Sequence, residues 1–265
     1  MNNKNPIGVF DSGVGGLTIV DKMMDFFPNE DIIYIADTIN NPYGTKTPTE
    51  IENIVTDVSK HLETLGAKFV VIACNTATVH STHLSSEIMI PFMGVVNPTA
   101  KSAYQASENN HILILATEAT IQSQVYQEYM IQKKARYIAL ATPKFVEVIE
   151  HGNIYVDETT MLVEETLRPF ASSGIDTVLL GCTHFELLEQ QIRMILPSAN
   201  IVASSQAVCE ALEDRLDQRK IKNNDSKRGI LRVYVTGNQE NFERSIKWFN
   251  KPINVLEHID IKNRC

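Results

Sequence analysis

The sequence predicts an α/β protein built as two similar doubly wound domains. Each has a mostly parallel sheet, and the active site is expected in the cleft between them. Three observations carry this expectation. Short apolar runs alternate with helical patterns along nearly the whole chain, as they do when parallel strands are covered by helices on both faces. Two of these runs, Phe69-Val70-Val71-Ile72-Ala73 and Thr177-Val178-Leu179-Leu180-Gly181, stop in the same way, at Cys74 and Cys182, each followed by polar residues. The two runs lie roughly a hundred residues apart, about the length of one small domain.

Taken in order, Ile7 to Phe10 reads as the first strand. The glycine-rich Asp11-Ser12-Gly13-Val14-Gly15-Gly16 reads as a tight turn into a helix over Leu17 to Phe27, closed by Pro28-Asn29. Asp31 to Ala36 is the second strand, and Asp37 to Thr47 a long polar loop. Thr47-Pro48-Thr49-Glu50 starts the next helix: Thr47 caps it, Pro48 suits its first position and Glu50 reaches back to the cap. Gly66 ends that helix before the first cysteine strand. Pro91 to Val96 reads as a short strand, with Pro98 breaking the chain beyond it.

From there the alternation restarts. A helix runs to about Ser107, followed by a strand at His111 to Ala116, a helix from Ile121 and a strand at Arg136 to Leu140. Helices at Phe145 to His151 and Asp157 to Ser172 lead into the second cysteine strand. A helix to Leu196, a strand at Ile201 to Ala203 and a helical stretch at Gln206 to Leu216 follow it. A strand at Ile230 to Thr236, a helix at Gln239 to Phe249 and a strand near Val255 close the pattern. The expected division is a first domain of residues 1–97 and 206–265, carrying Cys74, and a second of residues 98–205, carrying Cys182.

The chain has 265 residues, 43% hydrophobic and 21% charged, which is the balance of a globular protein with a real core. A formal net charge of -8 disfavours a nucleic-acid partner. The basic segment Arg219 to Arg228 reads as a solvated connection, since Asn223, Asn224 and Asp225 interrupt it. No apolar run approaches the roughly 20 residues of a membrane span, and no charged-then-apolar leader precedes Ile7. The expectation is a cytoplasmic protein whose thiols stay reduced. None of the four cysteines sits in a CxxC pair, so neither a zinc ribbon nor a dithiol redox motif is suggested. Cys209 reads as a small buried apolar residue of its helix, and Cys265 as incidental. His80 and His83 are spaced one turn apart on an expected helix, but no cysteine or carboxylate nearby completes a metal set, so no metal is expected.

In an open α/β sheet, ligands bind beyond the carboxyl ends of the strands. Two strands ending in cysteine on facing halves would aim two thiols at one crevice. The polar followers Asn75-Thr76 and Thr183-His184 argue against two inert buried thiols, and His184 is placed to tune Cys182. A nucleophilic Cys182–His184 pair of the hydrolase kind is an alternative that leaves Cys74 without a task. The Asp11 to Gly16 turn is neither GxGxxG nor a Walker loop, and Asp11 would repel a phosphate. It suits a ligand with both signs of charge: backbone amides and Ser12 for a carboxylate, Asp11 for an ammonium. The loop containing Asp37 and Asn40-Asn41-Pro42-Tyr43-Gly44 could close over such a ligand with its peptide N–H groups.

The chain resembles the glutamate racemases, the cofactor-independent members of the aspartate/glutamate racemase superfamily. The resemblance lies in residues 7–18, in Ala36-Asp37-Thr38 with Pro42-Tyr43-Gly44-Thr45-Lys46, in residues 71–78 around Cys74 and in residues 180–185 around Cys182. Weaker likeness runs through residues 117–123, 145–152 and 235–237. The resemblance implies a two-base proton transfer at the α-carbon of glutamate, with Cys74 serving D-glutamate and Cys182 serving L-glutamate. Asp11 would assist Cys74, His184 would assist Cys182, and Glu150 would stand close to His184. Asp11, Ser12, Tyr43, Gly44, Asn75, Thr76, Thr120, Thr183 and His184 would hold the substrate. It also implies no cofactor, a role in supplying D-glutamate for peptidoglycan, and, as is common in the family, a homodimer. Departures fall at Ile39-Asn40, Asn97-Pro98-Thr99, Thr142-Pro143 and residues 116–120, none of them at an expected catalytic position. The same scaffold would also serve aspartate or another acidic amino acid, or a relative that binds an amino acid without turning it over.

Overall fold

In the computed structural model residues 2–261 are described, and Cys265 lies outside them. The chain begins with β1 (Ile7–Asp11), α1 (Leu17–Phe26), β2 (Ile32–Ala36), α2 (Pro48–Thr64), β3 (Phe69–Ile72), α3 (Asn75–Val79) and β4 (Phe92–Gly94). It continues through α4 (Val96–Ala106), β5 (His111–Ala116), α5 (Glu118–Gln122), α6 (Val125–Gln132), β6 (Arg136–Ala141), α7 (Pro143–Glu150) and α8 (Asp157–Leu167). It ends with β7 (Thr177–Gly181), α9 (Glu189–Ile195), β8 (Asn200–Val202), α10 (Ser204–Arg219), β9 (Leu231–Val235), α11 (Gln239–Ser245) and β10 (Val255–His258).

These strands form two fully parallel sheets, of order β10-β9-β2-β1-β3-β4 and β6-β5-β7-β8. Parallel strands read as continuous apolar runs because both of their faces are covered. In the first sheet Ile7 and Val9 pack against α1, α10 and α11, while Phe10, Val70 and Ile72 pack against α2. In the second, Leu113, Leu115, Val178 and Leu180 face α7, α8 and α9, while Ile112, Ile114 and Leu179 face α4 and α6. Both sheets are therefore doubly wound. Trp248 packs against a core of each sheet and helps hold them together.

The strand orders locate the crevice. In the first sheet the chain winds outward from β1 in both directions, so the switch point lies between β1 and β3. In the second sheet it lies between β5 and β7. Asp11 ends β1 and Cys74 follows β3; Thr117 follows β5 and Cys182 follows β7. Ligands bind at such switch points, beyond the carboxyl ends of the strands. At the opposite end of the first sheet Lys68 and Glu30 form a buried ion pair at 2.5 Å. Lys68 also donates to the carbonyl of Asn3, and Glu30 accepts from the N–H of Asn223, so neither charge is left bare.

The start of α2 follows the expected chemistry. Thr47 accepts from the Glu50 N–H and Glu50 accepts from the Thr47 N–H, closing a capping box. Elsewhere the helices are shorter than the periodicity suggests. The segment after Asp157 stops at Leu167, because Pro169 lacks the N–H that a further turn needs. The helix expected from Ile121 is two pieces, α5 and α6, broken at Gln124, which has a φ of 60°. The expected strand at Pro91 to Val96 is only Phe92–Gly94, and Pro98 sits in the first turn of α4, where a missing N–H costs nothing. The helix expected to carry both His80 and His83 ends at Val79, and His83 lies in a separate 3-10 turn, 2.7 Å from the hydroxyl of Thr56. Among the described residues no group of three His, Cys, Asp or Glu side chains could hold a metal ion, and no helix is long and apolar enough to cross a membrane.

Candidate active site

The two cysteines line one cleft. Its wall comprises Asp11, Ser12, Asn41, Pro42, Tyr43, Gly44, Cys74, Asn75 and Thr76 from the first sheet's segments, and Thr117, Val146, Cys182, Thr183 and His184 from the second's. Cys74 and Cys182 are both buried, at 7% and 6% exposure, and both are free thiols.

Cys74 caps the short helix α3, and the Ala77 N–H donates to its sulfur at 3.5 Å. The Ser12 hydroxyl stands 3.8 Å from the same sulfur. Burial, and next the negative charge of Asp11, push the Cys74 thiol up to about 12. Asp11 is itself buried, and burial raises its carboxyl against the opposing pull of His184. It accepts from the Gly13 N–H at 2.8 Å and from the Thr183 hydroxyl at 3.3 Å. That second bond ties the first cysteine's turn to the second cysteine's loop.

Around Cys182 the arrangement differs. His184 Nδ1 lies 3.6 Å from the Cys182 sulfur, and Nε2 lies 2.6 Å from Glu150 Oε1. Burial alone would lower the imidazole, but its hydrogen bonds to Cys182 and Glu150, with their charges, hold it well above its ordinary value. Burial likewise acts to raise Glu150, and the bond to His184, with donors from Val14 and Asn41, holds it below the ordinary carboxylate value. This buried relay can hold an imidazolium beside the Cys182 sulfur, because Glu150 offsets the imidazolium's charge. Gly13 and Gly15 make room for it: a Cβ at Gly13 would lie 2.5 Å from Glu150 Oε1, and one at Gly15 would lie 2.5 Å from His184 Nδ1.

The loop over the cleft is pinned by Asp37. Its carboxylate accepts from the Tyr43 hydroxyl at 2.7 Å, the Thr236 hydroxyl at 2.8 Å and both-handedly from the Asn40 amide. The Tyr43 hydroxyl is thus spent inside the protein, and burial raises it well above an ordinary phenol. What Tyr43 and Gly44 offer the cleft is ring and backbone.

Of the residues expected from sequence, Asp11, Ser12, Tyr43, Gly44, Cys74, Asn75, Thr76, Cys182, Thr183 and His184 meet at this cleft. Glu150 stands behind His184 and faces an adjoining, mostly apolar groove. Thr120 is fully buried, and the Thr117 hydroxyl donates to it at 2.9 Å, so Thr117 is the residue that lines the wall. Sequence reasoning missed Thr117, although its position just beyond β5 at a switch point marks it. Val146, a lone apolar residue on a helix, carried no such signal.

Residues 19–212 match the family model described as Asp/Glu/Hydantoin racemase. The chain belongs to this family. It is 34% identical to the glutamate racemase of Bacillus cereus over 98% of each chain. It matches the crystal structure of glutamate racemase isoform RacE1 from Bacillus anthracis with a TM-score of 0.91 and 30% identity, covering 98% of this chain and 99% of that one. It also matches glutamate racemase from Francisella tularensis in complex with D-glutamate, with a TM-score of 0.88 and 29% identity over 98% and 99% of the two chains. The chain is accordingly an isomerase of the racemase kind, on the fold these proteins share.

Proposed function

We propose that this protein interconverts L- and D-glutamate by passing the α-proton between two thiols. The observation that carries the proposal is the placement of Cys74 and Cys182, which follow the switch-point strands of two separate sheets and line one cleft. Inversion at carbon needs a base on one face and an acid on the other, and no single side chain reaches both.

In the L-to-D direction, the Cys182 thiolate takes the α-proton, and the C–H electron pair remains on the substrate as a carbanion. The Cys74 thiol then gives its proton to the opposite face, leaving Cys74 as thiolate and Cys182 as thiol. The D-to-L direction runs the same steps backwards. His184, backed by Glu150, supports the thiolate form of Cys182, and Asp11 assists at Cys74. Ser12, the backbone of Tyr43 and Gly44, Asn75, Thr76, Thr183 and the Thr117–Thr120 pair would hold the ammonium and carboxylates. Holding the reacting groups in register and excluding water lower the barrier to forming the carbanion.

The reading extends to two domains, residues 1–97 with 206–265 and residues 98–205, facing each other across the cleft. It also extends to a homodimer in a bacterial cytoplasm, where D-glutamate would supply peptidoglycan precursors.

The test is to incubate the protein with L-glutamate in deuterated water, follow loss of the α-proton signal by NMR and resolve the enantiomers by chiral chromatography. Deuterium incorporation with D-glutamate appearing is expected. A strong preference for aspartate would overturn the substrate assignment, and binding without exchange would overturn catalysis.

A further inference from the structure

Tyr126 of α6 is fully buried in the core of the second sheet. Its ring lies so close to β7 that a Cβ on Gly181 would come within 2.9 Å of it, and Gly181 is the residue before Cys182. Its hydroxyl crosses to the first sheet's side and donates to Asn75 Oδ1 at 2.6 Å, and Asn75 is the residue after Cys74. One side chain therefore touches the backbone before one cysteine and the side chain after the other.

Thr99 stands beside this hydroxyl. Thr99 donates to the Val95 carbonyl at 2.7 Å and lies 3.1 Å from the Ser204 hydroxyl. Val95 precedes α4 and Ser204 opens α10, the helices of the two connections by which the chain passes from one sheet to the other.

The other end of the Asn75 amide is free. Asn75 is 3% exposed, and its Nδ2 is buried with no hydrogen-bond partner among the described residues. A buried N–H donor left unpaired is costly, and in native proteins it calls for an explanation. Asn75 lines the cleft, so an acceptor group on the bound molecule would complete it.

We propose that Tyr126 is a positioning residue: its hydroxyl holds the Asn75 carboxamide in the orientation that presents Nδ2 to a carboxylate of the bound amino acid. By donating to Oδ1, Tyr126 leaves the amide only its N–H groups for the ligand. The inference rests on the racemase reading of the cleft, and it adds a residue that reaches the substrate only through another.

The experiment compares wild type, Tyr126→Phe, Asn75→Ala and the double variant by circular dichroism in both directions, with thermal melts. Phenylalanine keeps the ring against Gly181 and removes only the hydroxyl. A carboxylate contact made equally in ground and transition states changes KM rather than kcat. Tyr126→Phe is expected to raise KM about tenfold while kcat moves less than about threefold, as for loss of one oriented hydrogen bond to a charged group. Asn75→Ala should raise KM at least as much, and the double variant no further than Asn75→Ala alone. An unchanged KM in Tyr126→Phe, a lowered melting temperature as its only effect, or two single effects that multiply would each overturn the inference. If wild type racemises glutamate and Tyr126→Phe behaves identically, this inference fails and the function stands. If wild type acts on another acidic amino acid, the substrate assignment fails and the same four proteins decide this point on that amino acid.

Discussion

His184 Nε2 lies 2.6 Å from Glu150 Oε1, while the other ring nitrogen faces the Cys182 sulfur at 3.6 Å. Among the described residues no matching relay serves Cys74, whose neighbours there are an acid, a hydroxyl and a backbone N–H. Two residues of the same type, asked to perform mirror-image steps, thus sit in electrically opposite settings. Burial beside the charge of Asp11 pushes the Cys74 thiol up to about 12.

Glu150→Gln removes the charge that offsets a His184 imidazolium. Activity is expected to fall by about a hundredfold, the scale of an impaired acid–base partner. Because the two enantiomers have equal free energies in solution, kcat/KM must fall equally from either side. Steady-state kinetics in both directions checks both statements, and an unaffected variant would detach Glu150 from the mechanism.

Gly15→Ala places a methyl group 2.5 Å from His184 Nδ1 and 2.6 Å from the Thr183 hydroxyl. A rigid imidazole must move, and misplacement of about 1 Å can cost around a hundredfold in rate. The expected outcome is a protein that melts near the wild-type temperature and has lost most of its turnover. Full activity would mean that His184 does not need its present position.

Cys74 is pushed up to about 12, so its thiolate fraction at neutral pH is very small. Only the thiolate reacts with an alkylating reagent, and its population rises about tenfold per pH unit below the pKa. Iodoacetamide labelling of Cys74 in the free protein, followed by mass spectrometry, should climb steadily from pH 7 to pH 10. A plateau near pH 8 to 9 would show an ordinary thiol instead.

Lys68 and Glu30 pair at the end of the sheet remote from the cleft, with side chains 0% and 1% exposed. Lys68→Met leaves the buried Glu30 without its cation, a loss of about 3–5 kcal/mol. Urea unfolding should show that loss, while kcat of the protein still folded stays at the wild-type value. A drop in kcat without a drop in stability would contradict the purely structural role given to this pair.

The frame of the molecule was legible because parallel strands buried on both faces must be continuous apolar runs, as Phe69–Ile72 and Thr177–Gly181 are. A cysteine after such a run is visible to the reader of a sequence, and so is the capping box at Thr47. Contacts of long range were not legible. The bond from Tyr126 to Asn75 spans 51 positions, and nothing local to either residue announces it. Nor does local pattern tell that Thr117 meets the cleft while Thr120 turns inward, since both are hydroxyl residues one turn apart. Helix ends were overrun where Pro169 or the left-handed Gln124 overrode the apolar periodicity.

The most direct test of the central claim is circular dichroism of separate L- and D-glutamate solutions, with no cofactor added, under wild type, Cys74→Ser and Cys182→Ser. Two thiols acting on opposite faces predict that wild type carries both solutions to zero signal, and that neither serine variant moves either solution appreciably. A wild type that changes neither solution, or a serine variant that keeps wild-type turnover, would contradict the claim.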